Sequence, residues 1–348
     1  MTRISLPLPE PSLGISAYEH ERMMCLNMDA RKRDNFMRYH ATKRRTAEVD
    51  YLPIKLDIEN VSRCNFKCTM CAVAGWKKGK RAEDMSLECF QRLIDEQVGL
   101  VEIKLNGLGE ALMQGDDYFE MIRYARSKRI WVRMTTNASL LGVNDNYKKL
   151  ADSGVNEIDI SIDGADAETF EAIRVGGSFK HVIANCVRLN DYLGVPRSKM
   201  WTLVQARNAH NLPAHVALAR MLGFKHLVFS LSLHGWGDSE LEKQNSRNVA
   251  QLSDYELNEL IDLGNQHGVR VAFWDVAEKY DAEHLCPWPF ERYVMTSDSR
   301  ITPCCMIGNP DAMELQGGWH GSQYQQFRTA HLQGKIPLLC KGCYKHGG

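Results

Sequence analysis

Cys64, Cys68 and Cys71 stand in the spacing C-x3-C-x2-C, inside Ser-Arg-Cys-Asn-Phe-Lys-Cys-Thr-Met-Cys. Three thiolates so spaced can hold three corners of a cubane iron–sulfur cluster and leave the fourth iron without a protein ligand. A zinc site would want a fourth Cys or His close by, typically a second C-x2-C or H-x3-H pair. The next histidine is His181, a poor fit to that pattern. The loop therefore reads as a cluster site with one iron reserved for something else.

A second set lies near the other end: Cys286, Cys304 or Cys305, Cys340 and Cys343, the last two forming a C-x2-C pair. Four thiolates suit a fully ligated cluster, and they also suit a structural zinc ion. Eleven cysteines are many for 348 residues. The N-terminus lacks the apolar run of a secretory signal, so metal or redox use is favoured over disulfides. Cys25, Cys89 and Cys186 read as small buried hydrophobes. Formal charge is balanced at 43 basic and 43 acidic residues, which gives no footprint for nucleic acid. No run of about 18 apolar residues suggests a membrane span. The expectation is a cytoplasmic protein.

The elements that must position these cysteines form a repeating pattern from Pro53. Strands are expected over 54–59, 101–105, 130–135, 157–162, 200–205 and 226–231. Helices follow them, for example after Ser86, which can cap the run Leu87, Phe90, Leu93 and Ile94. Six βα units in a row predict a partial (β/α)6 parallel barrel, because each parallel connection needs a crossover. Such barrels carry chemistry at the C-terminal strand ends. The expected division is an N-terminal extension over 1–51, the barrel over 52–275 and a small cysteine-rich domain over 276–348. The basic stretch from Arg31 to Arg45 reads as a solvated face rather than a helix across the barrel mouth.

Asn106-Gly-Leu-Gly-Glu110 follows the second strand, and Ser161-Ile-Asp-Gly164 ends the fourth. With the C-x3-C-x2-C loop, these blocks resemble the radical S-adenosylmethionine (radical SAM) superfamily, whose Gly-Gly-Glu motif the first block approximates. Leu108 separates the two glycines and Ala111 replaces the usual proline. Asp298 to Cys305 and the C-x2-C pair resemble the auxiliary-cluster extensions called SPASM and twitch, although Ser299 stands where glycine is usual. The resemblance runs from about Leu52 to Cys343. It implies a [4Fe–4S] cluster on Cys64, Cys68 and Cys71, and SAM chelated to the open iron. It also implies a second, auxiliary [4Fe–4S] cluster on Cys286, Cys304, Cys340 and Cys343. Candidate SAM contacts are Phe66, Ala72, Gly107, Gly109, Glu110, Thr135, Asn137, Ser161, Arg174 and Gln205. Among them Arg174 is the natural carboxylate clamp, because its planar fork donates two parallel bonds.

The reaction that the resemblance implies is SAM cleavage to a 5′-deoxyadenosyl radical, which takes a hydrogen atom from substrate. A fully ligated auxiliary cluster suits electron transfer. That favours oxidation of a small polar substrate, a sugar or aminocyclitol, with a flavodoxin or ferredoxin as external electron donor. One alternative is a radical epimerase in which Cys305 is the hydrogen donor. The other is a peptide-modifying SPASM maturase, ranked lower because the first fifty residues look too short and too charged for a leader-binding domain. His234, Trp236, Asp238 and Glu278 are further candidates for substrate contact.

Overall fold

The structure, a computed structural model, describes residues 14–345. Two helices come first, α1 (Ile15–Met28) and α2 (Ala30–Thr42). The βα series follows: β1 (Lys55–Ile58), α3 (Leu87–Glu96), β2 (Glu102–Leu105), α4 (Asp116–Ser127), β3 (Trp131–Thr136), α5 (Asn146–Asp152), β4 (Glu157–Ser161), α6 (Ala167–Ile173), α7 (Phe179–Leu193), β5 (Ser198–Leu203), α8 (Leu212–Met221) and β6 (His226–Ser230). After these come α9 (Ser239–Asn248), α10 (Asp254–His267), β7 (Arg270–Trp274), α11 (Trp288–Glu291), β8 (Arg292–Met295), β9 (Ile301–Thr302) and α12 (Ser322–Leu332).

Local chemistry sets the helix starts. The Ser86 hydroxyl accepts from the Cys89 amide at the head of α3, and Ser253 and Glu256 cap each other's backbone at the head of α10. Alternation sets the strands. One sheet face carries Leu56, Ile58, Ile103, Leu105, Val132, Met134, Ile158 and Ile160, all buried in one core with the helices' Phe90, Leu93, Phe119 and Ile122.

The sheet order is β7-β6-β5-β4-β3-β2-β1-β8-β9, with β1 to β8 all parallel to their neighbours and β9 antiparallel to β8. The parallel series therefore runs beyond the six strands expected. Arg270–Trp274 adds a seventh next to β6, and Arg292–Met295 adds another beside β1. Both lie where short strands and turns were anticipated.

The opposite face of the sheet is charged. Arg133 pairs with Glu102 at 3.6 Å, Glu157 at 3.2 Å and Asp159 at 3.8 Å. Lys199 pairs with Glu157 and Asp159, Lys55 with Glu102 and Glu291, and Arg292 with Asp57 and Glu291. Six strands and α11 thus meet in one buried ionic lattice, in place of the apolar layers that usually fill a parallel barrel. Thr135 and Ser161 stand one residue pair further along the same face as Arg133 and Asp159, towards the C-terminal ends.

The N-terminal helices close the other end. The Tyr18 hydroxyl donates to Glu102 at 2.7 Å, and its ring meets Trp131 edge-on at 5.2 Å. Lys32, buried, donates to the Leu100 carbonyl at 2.7 Å. The solvated reading of Arg31 to Arg45 thus holds for only part of α2, because Lys32, Asn35 and Tyr39 are buried. Lys32, Asn35 and Tyr39 are three and four residues apart and so share one helix face, and a run of basic types hid that inward stripe.

Candidate functional site

The loop bearing Cys64, Cys68 and Cys71 leaves the C-terminal end of β1, and α3 does not begin until Leu87. Its thiols are free, with Cys68 buried and the other two half-buried. Burial pushes Cys64 up to about 12 and Cys71 to about 11, and raises Cys68 against the opposing charge of Arg174. Ligation requires thiolates, so metal binding here must expel protons. Two N–H groups already face the sulfurs: Arg174 Nη1 lies 4.0 Å from Cys68 Sγ, and Asn137 Nδ2 lies 4.0 Å from Cys64 Sγ. Donors of this kind tune a cluster's potential.

Several residues expected to touch SAM are engaged in bracing this loop. A Cβ on Gly109 would sit 2.5 Å from the carbonyl oxygens of Val61 and Arg63. The glycine therefore lets β2's exit pass against the cysteine loop's own backbone, where a close approach to a ligand was anticipated. A Cβ on Gly107 would collide with the Glu59 side chain. The Glu110 amide donates to the Arg63 carbonyl at 2.9 Å. Its buried carboxylate accepts from the Thr136 hydroxyl at 2.6 Å and the Asn137 amide at 2.8 Å. Burial nevertheless raises its pKa. Asn137 also donates to Asn65 at 3.0 Å. Arg174 is paired with fully buried Asp163 at 2.7 Å, while its Nε, also buried, has no partner.

The other candidates divide. Phe66 is buried beneath the loop against Gly177, and Ala72 opens a short 3-10 turn. Thr135 and Ser161 are half-buried on the ionic face of the sheet, above the charges. Gln205 follows β5, is buried, and keeps its Nε2 without a partner. Asp238 is a helix cap, accepting from the amides of Glu240 at 2.9 Å and Leu241 at 3.0 Å. Glu278 donates its amide to Gly342, and both it and Trp236 adopt positive φ. His234 keeps Nε2 buried and unpartnered.

Sequence reasoning missed α9. Its Asn245, fully buried, donates to the Met70 carbonyl at 3.0 Å and the His234 carbonyl at 2.7 Å, and Gln244 reaches Thr69. The helix lashes the cysteine loop to the exit of β6. Asp238 was the available signal, a good N-cap followed by the acidic first turn Glu240 and Glu242. Trp201 and Trp274 also meet, at 6.0 Å, near the same strand ends.

In the second set, the Tyr344 hydroxyl accepts from the Cys286 amide at 3.0 Å, and the Met306 amide donates to Cys304 Sγ at 3.4 Å. Burial pushes Cys286 and Cys340 up to about 12, and each of these thiols feels Cys343 nearby. The adjacent cysteines act first on each other, which pushes Cys304 up and Cys305 down; beyond that Cys304 feels Cys286, whereas Cys305 feels Asp57 and Arg292 of the ionic face. Cys343 feels Cys305 as well. Among the described residues no three His, Cys, Asp or Glu side chains converge tightly enough for one metal ion. Cys186 is fully buried on α7, which makes it a packing group.

The chain matches the family model of the radical SAM superfamily over residues 60–210, and that of the SPASM iron–sulfur cluster-binding domain over residues 286–344. Residues 60–210 are thus a radical SAM domain and residues 286–344 a SPASM-type iron–sulfur cluster-binding domain. Domains of these two kinds imply a [4Fe–4S] cluster, SAM and auxiliary iron–sulfur binding. Two free-cysteine sets, one of three and one of four, fit those groups.

More particular likenesses follow. The chain is 30% identical over 186 residues to mycofactocin maturase MftC of Mycolicibacterium smegmatis, covering 53% of this chain and 46% of that one. It is 31% identical over 190 residues to the AdoMet-dependent heme synthase of Methanosarcina barkeri (53% and 52%), and 25% over 195 residues to the PqqA peptide cyclase of Rhodopseudomonas palustris (55% and 50%). The chain thus spans about half the length of these relatives. The fold is also that of Streptococcus suis SuiB, solved with its precursor peptide SuiA, at TM-score 0.64 and 15% identity, covering 85% of this chain and 71% of that one. No helix among the described residues is long and apolar enough to cross a membrane.

Proposed function

We propose that this protein is a radical SAM peptide maturase, which abstracts a hydrogen atom from a C–H bond of a peptide substrate. The observation that carries this reading is the likeness to a mycofactocin maturase and a PqqA peptide cyclase across about half of the chain, joined to a SPASM domain. It is preferred to the sugar or aminocyclitol oxidation that the sequence resemblance implied, which has no comparable support. The length of residues 1–51 weighed against a peptide substrate earlier, but fold likeness to a peptide-binding enzyme covers 85% of the chain.

In this reading Cys64, Cys68 and Cys71 hold the first cluster. Cys286, Cys304, Cys340 and Cys343 hold the auxiliary one. When bound, the first cluster and SAM supply the electron and the adenosyl group for hydrogen abstraction. The chain's own residues fix the geometry. Gly109, Glu110, Asn137 and Arg174 hold the cysteine loop against the strand ends. Arg174 and Asn137 place N–H groups beside two of its sulfurs. Thr135, Ser161 and Gln205 offer polar groups to SAM at the ends of β3, β4 and β5, with Gln205 Nε2 buried and lacking any protein acceptor. An unpaired buried donor is costly unless a ligand completes it.

Anaerobic reconstitution followed by incubation with SAM, dithionite and a panel of precursor peptides and aminocyclitols tests the substrate class. A peptide whose mass changes alongside 5′-deoxyadenosine release is the expected result. Turnover of an aminocyclitol with every peptide inert would overturn the reading.

A further inference from the structure

A half-enclosed cavity of about 360 Å³ lies between the loop after Tyr280 and the segment that follows α12. Its volume falls in the range of small-molecule sites, roughly 300–1,000 Å³. One wall is apolar, built from Ala282, Leu285, Leu332 and Ile336. Backbone bonds hold the edges in place. Gly334 takes positive φ after α12, and the Lys335 amide turns back to the Ala330 carbonyl at 2.8 Å. Across the cavity the Tyr280 amide donates to the Cys343 carbonyl at 2.9 Å, and the Lys345 amide donates to the Tyr280 carbonyl at 2.9 Å.

His331 supplies the polar group at the inner end. Its side chain is 1% exposed and lines the cavity. Nδ1 lies 2.9 Å from the Phe327 carbonyl oxygen, one helical turn back. A carbonyl only accepts, so Nδ1 carries the hydrogen, and Nε2 of the neutral ring is an acceptor. Among the described residues nothing donates to that Nε2. A buried acceptor left without a donor costs stability, and a ligand that brings one recovers it. The Tyr344 ring, 5.9 Å from the imidazole, completes the inner wall.

The charges sit at the rim. Asp281 is paired with Lys345 at 2.7 Å. Lys341 is exposed and has no such partner among the described residues, so the lining carries one net positive charge. Apolar walls, a deep acceptor and a cation at the rim complement an apolar body with a hydroxyl at one end and a carboxylate at the other. A phenol suits the inner end better than an alkyl hydroxyl. Its lower pKa makes it the stronger donor, and its ring packs against Tyr344 and His331.

We propose that this cavity binds a small phenolic carboxylic acid, with its hydroxyl donating to His331 Nε2, its ring on Leu285, Leu332 and Ile336, and its carboxylate at Lys341. The site is separate from the strand ends where SAM and substrate are expected, and it holds whichever substrate is turned over. Tyr344 ties it to the second cysteine set, because its hydroxyl accepts from the Cys286 amide at 3.0 Å while its ring lines the cavity.

The test uses the full, anaerobically reconstituted chain, with 3-(4-hydroxyphenyl)propanoate as probe and 3-phenylpropanoate as control, titrated by calorimetry. The phenol should bind one to one with a Kd on the order of 0.1–1 mM. The control should bind about tenfold more weakly, since it leaves Nε2 unpaired. His331→Phe should abolish that preference and bring the two acids within about twofold of each other. Lys341→Gln should weaken both several-fold and flatten their salt dependence. Ala282→Trp, at the exposed rim, should block both acids with iron content and unfolding midpoint unchanged. No saturable binding of the phenol up to about 10 mM would overturn the proposal. So would binding that survives Ala282→Trp, or equal affinity of the two acids for the wild-type chain. The last comparison needs no variant, so a His331→Phe chain that fails to fold does not shelter the proposal.

Discussion

Arg174→Ala separates a loop-bracing role from a purely ligand-binding one. The Arg174 guanidinium sits 2.7 Å from Asp163, whose side chain is fully buried. Removing one partner of a buried pair strands the other charge, at a cost of about 3–5 kcal/mol. Asp163 keeps one good bond, from the Leu203 amide at 2.7 Å, which places the expected loss near the lower end, about 3 kcal/mol. With a urea slope of about 3 kcal/mol/M, that moves the unfolding midpoint by about 1 M. Asp163→Asn added to Arg174→Ala removes the stranded charge and still leaves an oxygen for Leu203. The double variant should recover at least half of the loss. Tryptophan fluorescence of the reconstituted protein in a urea series reads both values. A midpoint shift below about 0.3 M for Arg174→Ala, or no recovery in the double variant, would refute a stability role for the pair.

Replacing Cys64, Cys68 and Cys71 by alanine should leave about half the iron of wild type and no SAM cleavage, measured by iron assay and 5′-deoxyadenosine release; unchanged iron would refute the assignment of the first cluster. Tyr18→Phe removes the hydrogen bond to Glu102 and should cost about 1–3 kcal/mol, because a charged acceptor loses its donor; calorimetry gives the value. Burial would raise Glu291, but Arg292 and Lys55 outweigh it and hold the carboxyl at about 2, and Lys55, Arg292 and Arg133 hold Glu102 lower still. Both carboxyls are depressed, so their stabilisation is complete above the unfolded value near 4.5 and is lost as pH falls from there towards about 2. The urea midpoint should fall across that window, and less steeply in Glu291→Gln.

The βα rhythm was legible because capped amphipathic helices alternate with short apolar runs, and the six expected strands all appear within about two residues of their expected ends. The pairing of β8 with β1 was not, since no local pattern announces a partner that distant. Nor was the ionic face: Lys-Leu-Asp-Ile and Glu-Ile-Asp-Ile read as half-exposed strands, whereas their charges are buried against each other. Gly109, Glu110, Asn137 and Arg174 were expected to meet SAM, and in the structure they engage the cysteine loop and the residues beside it. What a sequence does not carry is the partner, and here the partner described is the cysteine loop itself.

The strand that launches the first cysteine loop is flanked by β2 on one side and β8 on the other. During synthesis β1 emerges early, yet its second neighbour is translated only after nearly all the other strands. Until then one edge of β1 offers unpaired amides and carbonyls, an exposure that invites pairing with other chains. The contact that finally shields it is among the most distant in the fold, so closure comes late and slowly. A truncation ending after β7 would not release a self-contained catalytic half. It would leave the cluster-bearing strand permanently at an edge, prone to aggregate, with the loop's anchorage through the Met295 carbonyl to Glu59 removed.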